Sequence, residues 1–157
     1  MIGLSIPDLK DFTNKLFRES TFDSFQVMEA DFVTAISITM QGRLTQPEAG
    51  REFTVWQDIR PLAFQVIKGT KLPRSFKIIL RLSNENAEKT ISRLGLPYTP
   101  RDVAGFYLNV RYEAEKITCI TGCSMNTFTM DKSLEKEWDG VIRRFFRHHQ
   151  IVFEEIT

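Results

Sequence analysis

Cysteine is scarce in this chain of 157 residues: Cys119 and Cys123 are the only two. That excludes a disulfide framework and suits a reducing compartment, so a cytoplasmic protein is expected. On one straight strand their Cα atoms would stand about 13 Å apart, too far to bridge. Long apolar runs are missing too, and none approaches the roughly 20 residues that span a bilayer. Residues Met1 to Asp8 lack the basic lead and apolar stretch of a signal peptide. No excess of one charge exists, since 21 Lys and Arg face 20 Asp and Glu. A net charge of +1 gives no global pull toward nucleic acid or membrane. Glycine and proline, at 8 and 6, leave no low-complexity linker, so residues 1–157 are expected to form a single domain.

Chemical motifs are missing as well. There is no phosphate-binding glycine loop, dinucleotide fingerprint, nucleophile elbow or zinc-ligand spacing. No cofactor and no metal are expected on that ground. His148 and His149 are adjacent and point roughly 100° apart on a helix, which makes them poor joint ligands. Neither cysteine has a neighbouring base that would make it a nucleophile. Asp58, Asp102, Asp131 and Asp139 read as caps or surface charges.

What the chain does have is phenylalanine: 13 against 3 Tyr and 2 Trp. Phenylalanine has no polar handle, so this bias implies a large dry core.

Periodicity supplies the elements. Pro7, Asp8, Leu9, Phe12 and Leu16 predict a helix over 7–18. From Phe25 to Leu44 the period is two, and Glu29-Ala30-Asp31 reads as the turn between two strands. Residues 45–52 read as a surface loop. An apolar stripe predicts a helix over 53–69, with Pro61 kinking it or splitting it in two. Alternation over Ser75–Ser83 predicts a strand, and Ser83 caps a helix of 84–94 closed by Gly95. Thr99 to Asp102 reads as a capped turn, followed by strands over Phe106–Glu113, Lys116–Gly122 and Asn126–Met130. Ser133 caps a last helix reaching about His149, and Ile151–Phe153 closes the chain as a short strand.

Strands joined by hairpins, without regular β-α-β alternation, imply an α+β fold: a largely antiparallel sheet with packed helices. The order also suggests two pseudo-repeated β-α-β-β units, at about 1–45 and 75–130.

Arg60 to Gly69 with Pro73 and Phe76-Lys77-Ile78, and Thr121 to Ser124 with Thr127 to Leu134 and Trp138, carry a resemblance. They resemble a small family of bacterial proteins of about this length, known only as a domain of unknown function. The resemblance covers nearly the whole chain and implies no activity, so it assigns no functional residue. The element order is similar to the half-domain of DNA sliding clamps. Clamp function would need basic helices, yet Lys10, Lys15 and Arg18 meet Asp8 and Asp11, and Lys89 and Arg93 meet Glu85 and Glu88. The likeness is therefore one of order alone.

One charge pattern stands out. Arg60, Lys68, Lys71, Arg74, Lys77 and Arg81 follow one another with no acid between them. If they converged they could hold phosphates. The competing reading is a solvated face balanced by acids elsewhere, such as Glu85, Glu88 and Glu113. Phe106, Leu108, Val110 and Tyr112 share a strand face as core, which leaves Tyr107 and Arg111 opposite, able to join Lys77 and Arg81. The sequence thus points to a non-enzymatic binding or adaptor domain with a basic–aromatic sheet surface. Its partner would be a protein or a nucleic acid, and no membrane is implied. A clamp-like nucleic-acid protein and an enzyme acting on an anionic or phosphorylated small molecule are the alternatives. Arg143, Arg144 and Arg147 end the last helix, where its dipole favours cations without any ligand.

Overall fold

A computed structural model describes residues 1–48, 50–68, 73–95 and 97–156. The chain opens with β1 (Gly3–Ile6) and α1 (Leu9–Phe17), then forms β2 (Gln26–Val33), β3 (Ser37–Gln41), β4 (Arg43–Glu48) and β5 (Arg51–Phe53). Next come α2 (Trp56–Ile67), β6 (Ser75–Arg81), α3 (Asn84–Arg93) and a 3-10 turn at Pro100–Asp102. The chain finishes with β7 (Val103–Glu113), β8 (Lys116–Met125), α4 (Ser133–His148) and β9 (Glu154–Ile156). Seven strands make one sheet in the order β3-β2-β6-β7-β8-β1-β9, and β4 and β5 pair separately. Every pairing among the described residues is antiparallel. The architecture is α+β.

Alternation assigns each strand residue to a face. Val27, Ala30 and Phe32 of β2, Ile78 and Leu80 of β6, and Phe106, Leu108 and Val110 of β7 are buried. Helices cover this inner face: Phe12, Leu16 and Phe17 of α1, Trp56 and Ala63 of α2, and Trp138, Ile142 and Phe146 of α4 join the same core. Rings meet edge to face, as in Phe17 on Phe76 at 5.3 Å, or tilted, as in Phe106 against Trp138 at 5.4 Å. Both buried indoles are satisfied: Trp56 Nε1 donates to the Leu16 carbonyl at 2.7 Å, Trp138 Nε1 to that of Tyr107 at 2.9 Å. Most of the phenylalanine excess is in the core, with Phe128 exposed.

Caps begin two helices as the residue types require. The Asp8 side chain accepts from the Asp11 amide, and Ser83 from Asn86. Ala114 and Glu115, with φ of 52° and 61°, make the two-residue turn between β7 and β8. Gly42 is sterically obligatory, because a Cβ there would lie 1.7 Å from the Val27 carbonyl oxygen. It passes the β2 irregularity between Val27 and Glu29.

Several elements depart from the periodic reading. Glu29-Ala30-Asp31 is no turn: β2 runs through it, with Ala30 buried and both acids on the outer face, opposite Gln41 and Thr39 of β3. The reversal falls after Val33. Residues 45–52 are not a loop, since β4 and β5 pair from Arg43–Phe53 to Glu48–Arg51 and Gly50 turns at φ 75°. Pro61 lies inside the uninterrupted α2. Residues 126–130 form no strand; the Asn126 amide and side chain bond the Asp102 and Arg101 carbonyls instead. Ser133 is not the cap of α4 but its first residue, after an N-cap at Lys132; its amide donates to Asp131 at 3.0 Å. The last strand is Glu154–Ile156, while Phe153 packs on Phe146. The segments β1-α1-β2-β3 and β6-α3-β7-β8 share an order but not a pairing. β6 and β7 are neighbours, whereas β6, β7 and β8 separate β2 from β1.

Candidate functional site

The outer face of the sheet carries no helix residues of the core cluster. Alternation puts Lys77, Ile79 and Arg81 of β6 there, beside Tyr107, Asn109 and Arg111 of β7. Lys77 is the direct cross-strand partner of Arg111, and Arg81 that of Tyr107. The structure therefore brings together four of the eight residues singled out by charge and aromatic character. Two cations in register repel. Acids flank them: Asp31 is the partner of Lys77 on β2, and Glu113 pairs with Arg111 at 3.0 Å. Ile79, Asn109 and Ile120 lie in one cross-strand row, which continues through Gly3 to Ile156. Ile120 and Ile156 are exposed.

The other four candidates lie elsewhere. Arg60 of α2 is clasped by Asp23, Nε to Oδ1 at 2.8 Å and Nη2 to Oδ2 at 3.0 Å. That carboxylate raises the arginine's pKa. Lys68 caps α2, with its ammonium 5.6 Å from the centre of the Phe64 ring. Arg74 is exposed just before β6, and Lys71 lies outside the described residues. The unbroken basic run in the sequence is thus divided in space between a helix and a sheet face.

Arg81 differs from Arg60 in its partners. Its Nη1 donates to Gln26 Oε1 at 2.8 Å and Asn84 Oδ1 at 3.0 Å, and its Nη2 to the Ala104 carbonyl at 3.1 Å. Phe53 lies 5.6 Å away, ring centroid to guanidinium carbon. Sequence reasoning missed Gln26, Phe53 and Asn84, because separate strands and the first turn of a helix supply them. Asp31 was within reach of it: the period of β2 places Asp31 on the face of Lys77 once strand order is known.

The remaining reactive groups are quiet. Cys119 is buried, and burial drives its thiol pKa upward. Cys123 is half-buried and its thiol is pushed up to about 11, by burial first and then by Glu135 and Asp139. A protonated thiol is a weak nucleophile at neutral pH. Asp139 is no surface charge: it is buried, accepts from the Thr121 hydroxyl at 2.6 Å, and faces the Met1 ammonium at 3.2 Å. Asp131 is held below the usual carboxylate range by the Tyr98 hydroxyl and then by Ser133. Asp102 closes the capping box with Thr99. Among the described residues, no group of three or more His, Cys, Asp or Glu is placed to hold a metal ion. No helix among them is long and apolar enough to cross a membrane.

A family model described as a family of unknown function (DUF5721) matches residues 15–154. No curated protein and no solved structure matches the chain.

Proposed function

Since the chain belongs to that family of unknown function, we propose from its own geometry that it is a non-enzymatic cytoplasmic binding domain whose outer sheet face docks a protein partner. One observation carries the reading: the core helices pack on one face of a seven-stranded sheet, while on the other Lys77 and Arg111 are exposed and Asn109 is half-buried between β6 and β8. That face holds isoleucines, and its two central cations, Lys77 and Arg111, already have neighbours of opposite sign. Such a mixture suits a protein surface, where apolar contact supplies affinity and matched charges supply register. A nucleic acid calls for uncompensated cations along its phosphates. Here Asp31 and Glu113 sit beside the two central cations. The enzyme reading has less support, because Cys123 is held protonated and His148 and His149 stand at the far end of α4 from it. Two free thiols suit a reducing compartment.

The test is a photo-crosslinking amino acid at Asn109, in the middle of the face, compared with one at the exposed Gln57 of α2. Native cells should yield a discrete protein adduct from position 109 and none from 57. The adduct should weaken when Lys77→Glu and Arg111→Glu are combined. Equal adducts from both positions, or none from 109, would refute the docking face. Titration with DNA and RNA at low and moderate salt checks the rival, and binding that fades as salt rises would transfer the face to nucleic acid.

A further inference from the structure

At one end of the sheet, α3, the 3-10 turn and the ends of β6 and β7 enclose a cavity of about 300 Å³. That is the lower end of the usual range for small-molecule sites, roughly 300 Å³ upward. Leu82, Ile91 and Val103 give it an apolar wall, while Arg81 and Arg101 bring two guanidinium groups and Glu88 one carboxylate. Positive charge therefore exceeds negative among these three groups.

Arg81 differs from the ion-paired arginines of this molecule in how it is held. Arg43, Arg60, Arg111, Arg143 and Arg144 each meet a carboxylate. Arg81 is half-buried and held by three acceptors, all of them neutral. Its geometry is fixed, but its charge is not cancelled. Neither Arg81 nor Arg101 pairs with a carboxylate among the described residues. The Arg81 Nε–H also has no hydrogen-bond partner among them.

Gly105 lets the Tyr107 ring and Arg81 close in over the backbone at this corner. A Cβ there would stand 2.6 Å from the Tyr107 hydroxyl and 3.1 Å from Arg81 Nε. Two polar donors thus converge over a residue without a side chain, on the cavity wall. A planar fork held in place, with two N–H groups unused among the described residues, on Nε and Nη2, and its charge unmatched, is the arrangement that recognises a carboxylate or phosphate group.

We propose that this cavity binds a small organic anion. Its carboxylate or phosphate lies between Arg81 and Arg101, and its apolar body lies against Leu82, Ile91 and Val103. The cavity adjoins the docking face at Arg81, but the two proposals fail separately: crosslinking at Asn109 reads the one and ligand titration the other.

The experiment titrates phenyl phosphate into the full ¹⁵N-labelled chain, with benzoate, inorganic phosphate and benzyl alcohol in parallel. Phenyl phosphate or benzoate should shift the Gly105 and Ile91 amides and the Arg81 Nε–H saturably, and their ranking identifies the preferred head group. Inorganic phosphate and benzyl alcohol, each lacking half of the recognition, should bind about tenfold more weakly or worse. Arg101→Gln should weaken binding about tenfold without disturbing the rest of the spectrum, because its guanidinium holds no part of the fold. Lys10→Gln on the distant α1 should change nothing. Absence of saturation for both aromatic anions by about 10 mM would overturn the site, since a pocket of this build should bind more tightly. So would unchanged affinity in Arg101→Gln, or benzyl alcohol binding as well as phenyl phosphate.

Discussion

The two faces of the large sheet are made by the same strands, often by consecutive residues. Phe106 is buried against Trp138, while Tyr107 beside it lies over Gly105 on the outer side. Inner positions are almost wholly apolar, and their one kind of work is to exclude water beneath the helices. Outer positions mix isoleucine, asparagine and charge, and no helix has been spent on them. The same contrast separates two arginines. Arg60, on the helical side, is neutralised by a carboxylate that ties α2 to the segment before β2. Arg81, on the outer side, is positioned by neutral groups and keeps its charge available. Under the proposed function, stability and recognition fall to opposite faces.

Substitutions can break or sharpen that division. The largest effect is expected at the inner face, where Phe106→Ala should cost about 3–5 kcal/mol in urea unfolding. A cost under about 1 kcal/mol would show that the helices do not pack as described. Next comes Asp23→Ala, which leaves the half-buried Arg60 fork without its acceptor; about 1–3 kcal/mol should be lost. Arg111→Ala on the outer face should stay within about 0.5 kcal/mol of the parent, because its ion pair with Glu113 is solvent-exposed. If it cost as much as Asp23→Ala, the outer face would be structural.

The smallest effect concerns pH. His149 rests on Phe145 with ring centroids 4.5 Å apart, and its pKa lies below the ordinary 6.5, through burial first and then His148 and Lys15. The unfolded chain therefore binds the proton more readily. The stability this site contributes is full above pH 6.5 and is lost as pH falls from there through the folded value. Thermal unfolding of His149→Asn across that window should show a shallower decline than the parent. A steeper one would reverse the assignment.

Particular residues show what local pattern could and could not reveal. Apolar spacing located α1, α3, α4, β6 and β7 to within a few residues, and Asp8 and Ser83 act as the caps their chemistry suggests. Glu29 and Asp31 misled because two acids around an alanine look like a turn. In the sheet they are the solvated half of β2, paired across to Gln41 and Thr39. The β4–β5 hairpin was hidden because its exposed polar strands lack alternation, although Phe53 anchors it. Pro61 was expected to break a helix whose surroundings hold it: Trp56 and Ala63 on either side are fully buried. The basic run from Arg60 to Arg81 suggested one patch, and chain folding divided it.

By itself, the sequence determined the class of fold, the inner faces and the phenylalanine core, because burial obeys a period each segment carries within itself. Only the tertiary structure decided which acid meets which cation. Lys77 finds Asp31, Arg60 finds Asp23, and Arg81 finds no acid among the described residues, since those partnerships follow strand order and register across distant segments. A charge's environment is a property of its neighbours in space, and local spacing does not encode them.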